Sequence, residues 1–116
     1  MNELIIFRLG ATQWALPADR VRQVLSPRPV TRLPDPPPLA RGLIAWRGQV
    51  VPVVALGDRL DCTDPPVDGC TLLITAVGEE LIALMVDQVG HLAHPGGLEE
   101  GDIQRLDLEG IWHDGQ

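Results

Sequence analysis

The sequence predicts an all-β domain built from short hairpins. Several apolar runs of strand length are separated by glycine-containing turns. Eleven prolines in 116 residues interrupt any helix, and no long stretch has helical periodicity. A chain of this length buries enough surface for a core of its own, so one domain is predicted over residues 1–116.

The first predicted hairpin joins residues 4–9 to residues 13–16 through a turn at Gly10. Pro17 then suits the first position of a brief helical turn. A third strand follows over residues 21–25. Because side chains alternate along a strand, Val21, Gln23 and Leu25 are predicted to share one face.

Six prolines between residues 26 and 38 predict a stiff, extended connector. After it, residues 42–46 and 49–55 read as two apolar strands joined by Arg47 and Gly48. The glycine supplies the positive φ that a tight hairpin turn needs. Pro52 cannot donate to a sheet, which predicts a position at an edge or a bulge.

The C-terminal half predicts another hairpin and two short strands. Its features are runs at 70–77 and 81–86 around Gly78, strands at 89–92 and 103–108, a loop at 94–101 and a closing turn at 108–112. Asp87 is predicted to cap the turn that follows it by accepting backbone N–H groups. Hairpins at this spacing indicate one all-β barrel or two paired barrels.

Charge and composition exclude several function classes. The net charge is −7, and the nine basic residues are scattered, so neither nucleic acid nor an anionic membrane surface is predicted as a partner. The beginning of the chain has no signal-peptide pattern, and no apolar run is long enough for membrane insertion. A cytoplasmic location is expected, with Cys62 and Cys70 as free thiols.

No catalytic constellation is recognisable, so an enzyme is not predicted. The one serine, Ser26, lies beside a proline in the stiff connector, without an elbow motif around it. Cys62, Cys70, His91 and His94 offer a zinc alternative, but their spacing matches no tight metal knuckle. No metal and no cofactor are therefore predicted, and a small metal-binding barrel stays as an alternative.

The Trp46-Arg47 pair is the strongest candidate for partner recognition. Arg47 lies at a hairpin tip between strands that otherwise avoid charge. Tryptophan and arginine are enriched at interface hot spots, and arginine forms directional pairs with carboxylates. These properties favour a protein contact at the turn.

An ordered set of short motifs resembles the CheW-like domain family. The motifs are Phe7-Arg-Leu-Gly10, Trp14-Ala-Leu-Pro17, Val21-Arg-Gln-Val-Leu25, Leu33-Pro34, Gly42-Leu-Ile-Ala-Trp-Arg-Gly48, Val51-Pro-Val-Val-Ala-Leu56 and Val86-Asp87-x-Val89. The resemblance implies two small SH3-like β-barrel subdomains packed around a shared hydrophobic core, with short helical turns. It also implies a non-catalytic adaptor that couples the cytoplasmic tips of chemoreceptors to the regulatory domain of a CheA-type histidine kinase.

The resemblance places the partner-binding residues on two elements. Val21, Gln23 and Leu25 match the family strand that faces partners, and Arg47, beside Trp46, matches the family's arginine at the contact region. Gln23 departs from the glutamate that is usual in the family, which leaves Arg47 without that ion pair.

The chain is also shorter near its C-terminus than the family pattern. An incomplete second barrel would have an open sheet edge and allow self-association through that edge. A divergent dimerising or regulatory module in a pilus or motility pathway is therefore a second functional hypothesis.

Overall fold

A computed structural model describes residues 3–35, 39–93 and 103–110 of the chain. These residues form two sheets, which confirms the all-β prediction. The strands are β1 (Leu4–Leu9), β2 (Thr12–Pro17), β3 (Val21–Leu25), β4 (Ala40–Trp46), β5 (Gln49–Val54), β6 (Thr71–Val77), β7 (Glu80–Val86), β8 (Gln88–Ala93) and β9 (Ile103–Arg105).

The two sheets interleave along the chain. One has four strands in the order β8-β1-β2-β9, and the other has five in the order β3-β6-β7-β5-β4. The three predicted hairpins, β1–β2, β4–β5 and β6–β7, are all present and antiparallel. The parallel pairs β2–β9 and β5–β7 join strands that are distant in sequence.

The hairpin of β6 and β7 is buried on both faces. Alternate residues such as Leu73 and Leu84 enter a core that β1 and β2 also line. Their neighbours, among them Leu72 and Met85, enter a second core inside the five-stranded sheet. Strands buried on both faces have continuous apolar sequences, and these two do. The hairpin thus forms the wall that the two sheets share.

Short elements connect the strands and agree with the predicted turns. The helical turn predicted after Pro17 is a 3₁₀ turn at Ala18–Arg20, and a single α-helical turn, α1, lies at Gly57–Leu60. Pro52 lies in β5 opposite Leu43 of β4. The pairing of β5 with β7 starts only at Val53, so no β7 residue pairs with Pro52.

Asp87 differs from its prediction. Its carboxylate accepts the backbone N–H of Gly10 at 2.6 Å. Gly10 belongs to the β1–β2 turn, which lies far away in sequence, and not to the turn after Asp87. The carboxylate still satisfies a backbone donor, but it ties the β7–β8 corner to the first hairpin.

Arg20 contacts the closing segment, which is also held by the pairing of β9 with β2. Arg20 donates from Nε to the carbonyl oxygen of Ala76 at 3.0 Å, and its Nη1 lies 3.2 Å from Glu109 Oε1. The last strand is shorter than predicted, covering Ile103–Arg105. The predicted loop at 94–101 and the end of the predicted closing turn lie outside the described residues.

The proline-rich connector crosses the free edge of β4. Thr31 and Leu43 exchange two backbone hydrogen bonds, of 3.0 and 2.7 Å. Residues 36–38 of the connector lie outside the described ranges. Within those ranges, no helix has the length and apolar composition that a membrane crossing requires.

Gly42 is required where the connector approaches β4. A Cβ atom there would lie 2.5 Å from the carbonyl oxygen of Thr31 and 2.6 Å from Cγ1 of Val30. The backbone of the connector would have to shift to make room. We therefore expect Gly42→Ala to lower the free energy of unfolding by about 2 kcal/mol.

Urea denaturation checks this prediction, with Gly69→Ala as its control. The nearest atom to a Cβ at Gly69 lies 3.9 Å away, and we expect that variant to stay within about 0.5 kcal/mol of the parent chain. Equal stabilities for the two variants would contradict the proposed close approach.

Candidate functional site

The turn between β4 and β5 has the geometry of a type I′ hairpin. Trp46 pairs with Gln49, and the two central residues, Arg47 and Gly48, have φ angles of 49° and 78°. Both angles lie in the left-handed region that this turn requires. The positive φ predicted for Gly48 is confirmed. An arginine is unusual in that region, since a side chain there costs about 1–2 kcal/mol.

Trp46 connects the turn to β3. Its indole Nε1 donates a hydrogen bond to Oε1 of Gln23 at 2.8 Å. The side chain is 9% exposed and lies in the inner core of the five-stranded sheet. β3 and β4 are the two edge strands of that sheet, so this hydrogen bond joins its opposite edges. Gln23 and Trp46 thereby close the sheet towards a barrel.

Arg47 stacks on the tryptophan that this hydrogen bond holds. Its guanidinium carbon lies 4.9 Å from the centroid of the Trp46 ring, a cation–π distance. Within the described part of the chain, Arg47 has no carboxylate within ion-pair distance. The guanidinium is therefore positioned by an aromatic face while its hydrogen-bond donors stay available for a partner.

A β-bulge changes the predicted faces of β3. The pairing with β6 shifts between Val21 and Gln23, so that Arg22 is the extra residue. One extra residue reverses the alternation of side chains. As a result Val21 packs against the core between the two sheets, whereas Leu25 enters the inner core of the five-stranded sheet. The prediction that Val21, Gln23 and Leu25 share one face is wrong for this reason.

The exposed apolar residues are not the ones predicted for the partner surface. Leu25 is 3% exposed, and Trp46 is also buried. Val24, at 45%, has the outward position on β3, and Val50, at 69%, has it beside the Arg47 turn. Alternation along β3 places Val24 on the face opposite Gln23 and Leu25, but the sequence alone does not show which of the two faces is buried.

No metal site is found among the residues that the structure describes. These residues contain no group of three histidine, cysteine or acidic side chains that could hold an ion. The thiols of Cys62 and Cys70 instead donate to the carbonyl oxygens of Leu60 and Val67. The side chain of His91 and all of His94 lie outside the described part.

Comparison with known proteins identifies the family. A model of the CheW-like domain matches residues 3–94. The chain belongs to the CheW-like domain family. Among its relatives, a probable chemotaxis protein CheW from Rhizobium etli is 30% identical over 92 residues, which are 78% of this chain and 59% of that protein. The chemotaxis protein CheW of Rhizobium meliloti is 30% identical over 93 residues, with the same shares covered.

A solved CheW structure has the same fold. The scaffolding protein TtCheW from Thermoanaerobacter tengcongensis superposes with a TM-score of 0.70 at 23% identity, over 79% of this chain and 64% of that one. This likeness confirms the predicted fold of two β-barrel-like subdomains. The chain spans 59% of the length of both Rhizobium relatives. The four-stranded sheet has β8 and β9 at its edges, and self-association through such an edge stays a prediction.

In this CheW-like domain, Gln23 has a structural role. The amide oxygen of Gln23 accepts from Trp46 and not from Arg47. The resemblance implied that Arg47 lacks its intramolecular ion pair, and the geometry agrees within the described residues. Sequence reasoning missed that Trp46 and Gln23 are partners, because their 23-residue separation bridges two edge strands.

Removing the Gln23 acceptor tests this closure of the sheet. Gln23→Met keeps the length of the side chain but leaves the partly buried indole N–H of Trp46 without its acceptor. We expect the free energy of unfolding to fall by about 1 kcal/mol. Gln23→Glu retains an acceptor oxygen and should stay within about 0.5 kcal/mol of the parent chain at neutral pH. If urea denaturation ranks the Met variant with the Glu variant, the hydrogen bond does not stabilise the sheet.

Proposed function

We propose that this chain is a non-catalytic adaptor of bacterial chemosensory signalling, located in the cytoplasm. Its partners are the regulatory domain of a CheA-type histidine kinase and the cytoplasmic tip of a chemoreceptor. The observation that carries the proposal is the CheW-like match over residues 3–94, together with relatives named as chemotaxis proteins.

The geometry of the Arg47 turn supports a role in protein contact. A non-glycine residue in the left-handed region is uncommon, and Arg47 occupies it at an exposed hairpin tip. Strain at an exposed position is typical of residues that are retained for function rather than stability. Because Trp46 holds the guanidinium in place, less conformational entropy is lost when Arg47 binds a carboxylate.

Val24 supports a second contact area on β3. Its side chain is 45% exposed. The preceding residue of β3, Gln23, is joined to the Arg47 turn through Trp46. The exposed valine offers an apolar anchor, and the positioned guanidinium of Arg47 offers a directional charge, which are two features of interface centres. Val24 and Arg47 are therefore our candidates for direct partner contacts, and Val21, Gln23, Leu25 and Trp46 for residues that position them.

Arg47→Asn is the sharpest test of this function. Asparagine tolerates the left-handed region better than arginine, which favours folding by up to about 1 kcal/mol. The lost cation–π contact costs about 0.5–1 kcal/mol at an exposed site. These effects nearly cancel, so we expect stability to change little while affinity for the kinase domain or the receptor tip falls by about fivefold or more.

Calorimetric titration of the full chain with each isolated partner measures the affinities. Arg8→Asn provides the matched control, since Arg8 is exposed on the four-stranded sheet and lies away from the turn. Its affinities should equal those of the parent chain. The proposed function fails if the parent chain binds neither partner. The role of Arg47 fails if Arg47→Asn binds both partners as tightly as the parent chain does.

A further inference from the structure

Charge is strongly segregated in this chain. Residues 21–49 contain five arginines and a single acidic residue, Asp35, and therefore carry a net charge of +4. The total of −7 leaves −11 on the rest of the chain. We call the five basic residues the arginine strip: Arg22, Arg28, Arg32, Arg41 and Arg47.

Two contacts between neighbouring residues join the chain segments that carry the arginine strip. The hydrogen bond between Gln23 and Trp46 brings the residues next to them in sequence to the same end of the sheet. Arg22 precedes Gln23, and Arg47 follows Trp46. The backbone pairing of Thr31 with Leu43 places the connector beside the middle of β4. The fold thus gathers positive charge that the sequence distributes over 26 residues of chain.

The outer face of the β4–β5 hairpin supplies an apolar centre between charged ends. Alternate residues of β4 point outwards, because Arg41, Leu43 and Ala45 are partly or fully exposed while the residues between them are buried. Val50, 69% exposed, pairs with Ala45 across the hairpin. A groove of about 210 Å³ opens along this face, lined by Thr31, Leu43, Ile44, Ala45 and Val50.

An apolar centre flanked by arginines fits a particular kind of partner. Every basic residue of the chain is an arginine, which binds carboxylates in a bidentate, directional manner. Arg41 is near the start of β4 and Arg47 follows its last residue, so the two arginines flank the apolar residues Leu43 and Ala45 along the chain. A partner surface with carboxylates around an apolar side chain would complement this arrangement.

The remaining charge of the chain strengthens the orientation. An acidic partner is repelled by a surface carrying −11 and attracted to the one segment carrying +4. The same negative surface disfavours nucleic acid, whose phosphates extend far beyond a strip of this size. Charge complementarity therefore favours an acidic polypeptide over a nucleic acid.

We propose that the arginine strip and the outer face of the β4–β5 hairpin form a docking surface for an acidic polypeptide segment. Its carboxylates pair with Arg41 and Arg47, and its apolar side chain covers Val50 and the adjoining groove. The inference deepens the proposed function and rests on it in one respect, namely that the natural occupant is a protein partner of the adaptor.

Fluorescence anisotropy with the full chain tests the proposal. The probe is a labelled peptide of alternating glutamate and valine residues, compared with a peptide of alternating lysine and valine and with a short single-stranded DNA. We expect binding of the acidic peptide alone, and weaker binding at high salt, because exposed ion pairs are screened beyond about 8 Å at physiological ionic strength.

Charge reversal locates the site. Arg41→Glu combined with Arg47→Glu should weaken binding of the acidic peptide by about tenfold or more. Arg8→Glu combined with Arg105→Glu changes the net charge equally at two exposed positions of the four-stranded sheet and should leave the affinity within about twofold. Val50→Asp, at a position that is 69% exposed, should weaken binding several-fold and tests the surface independently of the double variant.

The following outcomes overturn the inference, except the last, which bears on the proposed function. Equal weakening by the control pair would mean that net charge acts at long range. Tight DNA binding would mean that the surface recognises phosphate. Binding of the lysine peptide would mean that the surface does not select its partner by charge. Light scattering that shows a dimer of the parent chain, lost in the Arg41/Arg47 variant, would make a second copy the occupant.

Kinase or receptor binding without peptide binding would refute only this inference, whereas peptide binding without either partner would refute only the proposed function.

Discussion

The burial of both faces of the β6–β7 hairpin is the constraint on which the rest of the structure depends. Leu73 and Leu84 face the four-stranded sheet, and Leu72 and Met85 face the inner core. Neither sheet could lose this hairpin without exposing its own core to water, which costs about 25 cal/mol for each Å² of apolar surface. The fold of this chain therefore requires continuous apolar sequences in β6 and β7, and exposed edges are left at the strands that flank them.

Among the described residues few interactions close the two edge strands of the five-stranded sheet, which leaves them accessible for the contacts that we propose. In the described part of the chain, a side-chain hydrogen bond between Gln23 and Trp46 joins β3 to β4, and the connector pairs with β4 through the backbone of Thr31. An antiparallel continuation of that pairing would bring Pro29 opposite Ala45, and proline has no N–H to donate. The prolines that stiffen the connector thus also end its pairing with β4. They leave the tip of the β4–β5 hairpin uncovered, where Arg47 and Val50 lie.

Local patterns predicted most of this fold, and long-range contacts account for what they missed. The three hairpins, the helical turn after Pro17 and the positive φ of Gly48 follow from sequence signals a few residues long. The faces of β3 do not, because the bulge at Arg22 depends on how β6 packs against it. The acceptor role of Asp87 was predictable from its chemistry, but its donor, Gly10, is 77 residues away. For the site, the sequence indicated Arg47 correctly as an exposed turn residue, whereas the burial of Leu25 and Trp46 could be known only from the packing of the inner core.

The Arg47 turn shows how stability and recognition compete at one position. The left-handed conformation costs about 1–2 kcal/mol, and the stacking on Trp46 returns about 0.5–1 kcal/mol of it. A chain selected only for folding would have asparagine or glycine at this position of a type I′ turn. The net cost is small beside the total stability of a domain, typically 5–15 kcal/mol, so the fold tolerates it. What the cost maintains is a guanidinium fixed on an aromatic face, with no carboxylate of the described residues within ion-pair distance. It lies at the end of a chain segment whose charge opposes that of the rest of the molecule. Such a group gains more from an external carboxylate than an arginine already engaged in an ion pair, because no existing pair has to be broken first.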